Sequence, residues 1–345
     1  MKPQLSPGLS TIGALALLVL GLNTSALAQS QKADRPTLGT IERLDPRFDQ
    51  LVPKEARVER IAEGFDWSEG PVWDRAQGRL LFSDVPMNTV FQWRDGKGVS
   101  VFLKPSGYTG TTPRGGEPGS NGLIMDARGR LVLCQHGDRR VARLDGETFT
   151  TLADRYQGKR FNSPNDGVYK SNGDLYFTDP PYGLLAKNDD PAKELDFNGV
   201  YRLSIDGTVT LLTKEMTFPN GIAFSPDEKT LYVANSDPQR AIWKAFPVKE
   251  DGTIGEGRVF ADVTSSVSPE KKGLPDGMKV DASGNLFATG PGGVLVFAPD
   301  GTHLGTFATG EATANCGWGE DGSTLFITAD MYIGRVRLTT KGKDF

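Results

Sequence analysis

Histidine and cysteine each occur only twice in 345 residues, and no G-x-S-x-G motif is present. A Ser-His-Asp arrangement would therefore have to use His136 or His303, and a soft-metal site has few thiolates or imidazoles to draw on. Helical periodicity is scarce, while 42 glycines and 22 prolines suit an all-β chain rich in turns. No basic stripe with interleaved aromatics occurs and the formal charge is -4, which argues against a nucleic-acid partner. Long apolar runs are missing too. Residues 12–22 are the exception, too short to span a bilayer comfortably. With Lys2 before them and Ala26-Leu27-Ala28 after them, residues 1–28 read as a cleavable secretory signal. The mature chain is expected in the periplasm or outside the cell, without stable membrane association.

What the chain does have is a repeat. Residues 165–183, NDGVYKSNGDLYFTDPPYG, hold a strand, a tight turn at Ser171-Asn172-Gly173 and a second strand, which together make a hairpin. The plan returns as EGPVWDRAQGRLLFSDV from Glu69, NGLIMDARGRLVLCQHG from Asn121, NGIAFSPDEKTLYVANS from Asn220, DGMKVDASGNLFATGP from Asp276 and NCGWGEDGSTLFITAD from Asn315. Successive copies start 52, 44, 55, 56 and 39 residues apart, a spacing typical of propeller blades or solenoid turns. Strand-like alternation excludes the helical solenoids. Two further strand-like runs follow each hairpin, such as NTVFQWRDG and VSVFL after the first, so each unit has four antiparallel strands. The prediction is an all-β, six-bladed β-propeller over residues 54–345.

The sixth unit ends early, at residues 334–339, and lacks its outermost strand, whereas residues 57–62, RVERIA, are a strand without a blade. Pairing the two closes the ring and leaves no open edge in that blade. Residues 29–53 are polar, carry Pro36 and Pro46, show no sustained period and read as a linker dispensable for stability. Two connections exceed a turn, residues 104–120 and 180–198; both fall on one face of a propeller and are expected to rim a pocket. Cys134 and Cys316 lie in the second and sixth hairpins, where two buried free thiols are preferred to a bridge.

Aligned on their turns, the copies lead with Glu69, Asn121, Asn165, Asn220, Asp276 and Asn315, an oxygen-bearing side chain every time. Innermost propeller strands run alongside the central channel, so these side chains gather at its mouth. Such residues also satisfy strand-end amides, an explanation adequate for any one position and less so for six in one register. Two carboxylates facing one channel repel each other unless a cation lies between them. With amide oxygens beside them they form a hard cage that suits calcium best, then magnesium or manganese. His136 ends the second strand of its hairpin at the channel mouth and is a candidate for substrate contact or proton transfer. His303, on an outer strand of the fifth blade, reads as structural.

SEGPVW around Glu69, SPNDGVY around Asn165, FPNGIAFSPD around Asn220 and LPDGMKVD around Asp276 resemble motifs of the senescence marker protein/gluconolactonase/luciferin-regenerating enzyme family. CQHGDRRVAR and FTDPPYG resemble its bacterial gluconolactonase branch, and the resemblance covers about residues 55–340. It implies a six-bladed propeller with one catalytic divalent metal at the top of the channel, usually calcium, with magnesium, manganese or zinc possible. By this resemblance Glu69, Asn220 and Asp276 match metal ligands, Asn165 matches a position that ligates metal or contacts substrate, and Asp276 also matches the acid/base. Asn121, Asn315, His136 and Tyr182 remain as substrate-contacting lining. The expected reaction opens a small sugar-type lactone, with water activated by Asp276 or, less favoured, by His136. Hydrolysis of an organophosphate or another ester is one alternative; a non-catalytic ligand-binding propeller with a structural metal is the other.

Overall fold

A computed structural model describes residues 35–345; the expected signal segment, residues 1–28, lies outside the described residues. Six antiparallel sheets carry the six copies of the repeat, with innermost strands Ser68–Asp74, Ser120–Met125, Gly167–Tyr169, Pro219–Phe224, Met278–Val280 and Thr313–Gly319. From the first five of these the chain steps outward strand by strand, as from Ser68–Asp74 to Gly98–Leu103 in blade one. The molecule is a six-bladed propeller.

Side-chain alternation explains why the blades stack. In blade one Leu80 and Phe82 pack with Phe326 and Ile333 of blade six, whereas Leu81, between them in sequence, packs with Leu123, Leu131 and Leu133 of blade two. Successive residues face opposite sides of a strand, and both sides are covered by a neighbouring blade. The second strands accordingly read as nearly unbroken apolar runs, LVLC, LFAT and LFIT. Aromatic pairs fill the same wedges, as where Trp73 stacks on Phe326 at 5.5 Å between ring centres.

Nearer the axis the blades meet backbone to backbone. A Cβ at Gly70, Gly122 or Gly221 would stand 2.3, 2.6 or 2.1 Å from the carbonyl oxygen of Asn121, Asn165 or Asp276, the leading residue of the next blade. Only glycine permits that approach. Pairing also slips at the head of several inner strands, between Glu69 and Val72, Ser120 and Leu123, Pro219 and Ile222, and Thr313 and Asn315. Such bulges bend the strand and re-aim the residues beside them.

Closure follows the expected plan with shifted bounds: Glu59–Glu63 pairs antiparallel with Tyr332–Arg337, Glu59 opposite Arg335 and Glu63 opposite Tyr332. The buried Arg335 guanidinium binds Glu59 at 2.8 Å and Glu320 at 3.2 Å, tying the two ends of the chain together.

The linker expected over residues 29–53 requires correction within its described part. Thr40–Arg43 adds a fifth strand to blade five, antiparallel to His303–Ala308, and a single helical turn, Phe48–Leu51, follows. Phe48 and Val52 are fully buried, Phe48 against Phe307 at 5.7 Å, and Arg43 donates to the carbonyls of Val52 and Pro53. The strand is too short to display a period, and three scattered apolar residues, Leu38, Phe48 and Val52, provide the anchoring. A small ribbon, Arg155–Tyr156 with Lys159–Arg160, was likewise not anticipated. Both cysteines are buried and free. His303 lies on an outer strand, its Nε2 within 3.1 Å of the Gly305 carbonyl, as its structural reading requires.

Candidate active site

The six leading residues form one closed ring, and it can be traced contact by contact. Gly70 abuts the Asn121 carbonyl; Gly122 donates to the Asn165 carbonyl at 2.7 Å; and Thr178 Oγ1 donates to the Asn220 carbonyl at 2.7 Å. Gly221 abuts the Asp276 carbonyl, Gly277 donates to the Ala314 carbonyl at 2.8 Å, and Asn315 Nδ2 returns to Glu69 Oε2 at 3.2 Å. Ser83, Thr178 and Thr289 brace this ring from the second strands, each donating its hydroxyl to a carbonyl of the following blade. Glu69, Asn121, Asn165, Asn220 and Asn315 are buried, and Asp276 is partly buried.

What these side chains lack decides their character. Asn121 Oδ1, Asn165 Oδ1, Asn220 Oδ1 and Asp276 Oδ1 are buried and accept no hydrogen bond from the protein, and neither does Asp166 Oδ2. Buried oxygens are normally paired, so a cluster of unpaired ones marks a place prepared for a ligand. Burial pushes both Glu69 and Asp276 up from the ordinary carboxylate range. The Asp166 charge adds to this at Glu69, and the Glu69, Asp166 and Glu117 charges add to it at Asp276. A hard divalent cation would answer both the unpaired oxygens and the mutual repulsion. Among the described residues no group of three His, Cys, Asp or Glu side chains is arranged to hold a metal, so the fit rests on carboxylates mixed with amides.

Two site residues escaped the sequence reading. Asp166 stands where blades one, two, four and five carry Gly70, Gly122, Gly221 and Gly277; it was visible as the odd residue in NDG among EG, NG and DG. Its Oδ1 accepts from Gly167 at 2.8 Å. Glu117 comes from the long connection 104–120, and its carboxylate lies 3.1 Å from Nδ1 of the fully buried His136. No periodic signal could have marked it. The second long connection supplies Tyr182, whose ring stacks on Phe218 at 5.9 Å. Burial pushes its phenol up. Arg114 joins the two connections by donating to the carbonyls of Gly137 and Gly183, so together they rim the ring as expected.

Residues 67–330 match the model of the SMP-30/Gluconolactonase/LRE-like region. The chain belongs to this family. Among its members, the gluconolactonase of Zymomonas mobilis is 42% identical over 92% of this chain and 91% of its own length. The solved structure of a gluconolactonase from Xanthomonas campestris superposes with a TM-score of 0.75 at 34% identity, covering 88% of this chain and 97% of that one. A more distant similarity, 24% identity over 70% of this chain and 78% of the other, is to the diisopropyl-fluorophosphatase of Loligo vulgaris. SMP-30/gluconolactonase membership thus agrees with the motifs around Glu69, Asn165, Asn220 and Asp276, all of which fall inside the matched residues.

Proposed function

We propose that this chain hydrolyses sugar-type lactones at the oxygen ring, using a hard divalent cation held by Glu69, Asn165, Asn220 and Asp276, with calcium as the first choice. The supporting observation is the set of buried acceptors Asn165 Oδ1, Asn220 Oδ1 and Asp276 Oδ1, which have no protein donor and share one ring with Glu69. When bound, the cation supplies Lewis-acid polarisation of the lactone carbonyl. The remaining work falls to the chain. Asp276 accepts the proton of the attacking water through its free oxygen. Asn121, Asn165 and Asn315 present amides to substrate hydroxyls, and the Tyr182–Phe218 stack gives the pocket an apolar wall. The gluconolactonase relatives support the substrate class. Residues 1–28, read from sequence as a secretory signal, support a periplasmic or extracellular setting for this activity.

A second reading, hydrolysis of organophosphates, is favoured by the fluorophosphatase similarity. Both are tested by measuring turnover of an aldonolactone panel and a phosphotriester panel with chelated and calcium-loaded protein, alongside melting curves. The expected result is calcium-dependent lactone opening with a raised melting temperature, since a ligand binding only the folded state stabilises it. Preferential phosphotriester turnover would transfer the assignment to the second reading. Unchanged melting and activity on chelation would remove the metal from it.

A further inference from the structure

Lactone opening needs a proton at two places. Water loses one as it attacks, and the ring oxygen gains one as it leaves. Asp276 answers the first need in the function proposed above, and the second has so far no residue. Resting on that reading, we propose that His136 is the general acid that protonates the leaving ring oxygen, and that Glu117 is the residue that positions it.

The geometry begins at the His136 ring, which is entirely buried with neither nitrogen satisfied by a well-aligned protein hydrogen bond. A buried imidazole normally finds partners for both nitrogens. Here Nδ1 has the Glu117 carboxylate at 3.1 Å, in a bent contact, and Nε2 has nothing. A carboxylate at Nδ1 accepts the Nδ1–H and leaves Nε2 as the nitrogen that meets a ligand. Bent contacts of this kind commonly straighten when substrate fills a site. The pair also stands beside the ring: Gln135, next to His136, is paired with Ser120, next to Asn121, and a Cβ on Gly183, the neighbour of Tyr182, would stand 2.7 Å from the His136 Cβ.

Glu117 is not on a free loop. Asn88 Oδ1 accepts from the backbone of Ser106, Gly107 and Tyr108, fixing the start of the connection, and Gly119 fixes its end by donating to the Val85 carbonyl at 2.9 Å. His136 in turn donates its backbone N–H to the Gly119 carbonyl at 3.1 Å, and a Cβ on Gly137 would stand 2.4 Å from the Pro118 carbonyl. The backbones on either side of the pair are therefore in contact, and Arg114 clamps the same connection to the carbonyls of Gly137 and Gly183. This is the support that a proton donor held in one orientation requires.

Water adds its oxygen to the carbonyl carbon and its proton passes to Asp276. The ring C–O bond then breaks, its electron pair stays on the ring oxygen, and His136, entering the step as the imidazolium with Nδ1–H held by Glu117, passes its Nε2–H proton to that oxygen and is left as the neutral imidazole. Asp276 and His136 return to their starting forms by releasing and taking up one proton through bulk water.

A general acid matters in proportion to how poor the leaving group is, which separates this role from a structural one. H136Q, E117Q and E117A are compared with the wild type on an aliphatic aldonolactone and on an aryl lactone, whose phenolate leaves without a proton. H136Q is expected to lower kcat on the aliphatic lactone about a hundredfold, the ordinary range for losing a general acid, and to lower it on the aryl lactone about tenfold or less. E117A should show the same substrate-selective loss to a smaller degree, and E117Q, which keeps an acceptor for Nδ1–H, should recover part of it. Activity on the aryl lactone reports folding in the same assay. Equal losses on both lactones, in H136Q or in E117A, overturn the proposal. A wild type inactive on every lactone would instead overturn the lactonase reading, so the two failures are distinguishable.

Discussion

The wedge between two blades and the mouth of the channel are built on opposite rules. In the wedge between blades two and three, Phe161, Phe177 and Tyr201 are buried against one another, with ring centres 5.1 to 5.4 Å apart, and the packing is apolar and continuous. At the mouth, oxygens of Asn121, Asn165, Asn220 and Asp276 are buried without partners. The fold is stabilised in the first region and left unsatisfied in the second. It follows that stability and activity should be separable by mutation, and the following experiments press on that separation.

Deletion gives the largest effect. Removing residues through 64 takes away Glu59–Glu63, the fourth strand of blade six, and should leave the chain unfolded or aggregated by size-exclusion chromatography. Removing residues through 53 takes away the added strand of blade five, the Phe48 turn and the backbone bonds of residues 36–38 to residues 58–60, but leaves Glu59–Glu63 in place, and should lower the melting temperature while preserving the ring. Equal melting of the two truncated proteins would contradict closure at this point. Next comes Phe177→Ala, which should lose about 3–5 kcal/mol of stability in denaturant titrations, the usual loss for an aromatic truncated in a core. Turnover per folded molecule should stay close to wild type, and a parallel collapse of activity would break the distinction between wedge and mouth.

Asp276→Asn should do the reverse. It keeps an oxygen donor and removes a proton acceptor, so the rate should remain down by about a hundredfold or more even at saturating calcium, with melting of the metal-free protein unchanged or raised. Asn220→Asp, by contrast, should be rescued by added calcium. Near-normal turnover of Asp276→Asn at saturating metal would make that residue a ligand only.

A pH-dependent effect lies behind the mouth, at Asp179, which accepts the backbone N–H of Asn162 and of Ser163, both at 2.8 Å. Burial pushes this carboxyl up to about 7 in the folded protein, against the hydrogen bonds that lower it. The folded form therefore holds its proton over a range where the unfolded chain has lost it. The associated stability is fully present below about pH 4 and lost as pH rises to about 7. Melting temperatures taken across that range should fall for wild type and fall less for Asp179→Asn. Identical slopes would remove Asp179 as the source.

These regions also differ in how far the sequence disclosed them. The blades were legible because burial on both faces forces apolar runs, and glycine turns divide those runs at regular spacing. The ring was legible because one register repeats an oxygen-bearing residue before a close backbone approach. Asp166 broke that register by replacing a glycine and was passed over. Glu117 reaches His136 only through the way residues 104–120 fold back on Val85 and Asn88, and such tertiary closure leaves no period to read. The segment ending at residue 53 failed for the opposite reason: a few buried side chains, Phe48 and Val52 above all, outweigh a polar composition.

The strand that closes the ring also sets the order in which the molecule can be made. Glu59 and Arg335 share a 2.8 Å hydrogen bond across 276 residues of chain. Residue 59 leaves the ribosome long before residue 335 exists, so five complete blades wait beside an unfinished one. The entropy of closing so long a loop grows only with the logarithm of its length, so the delay is one of time more than of free energy. During that wait a polar strand and an incomplete sheet both present open edges, the geometry that pairs with the wrong chain as readily as with the right one. The ring passes out of that exposed interval only when its last strand is synthesised.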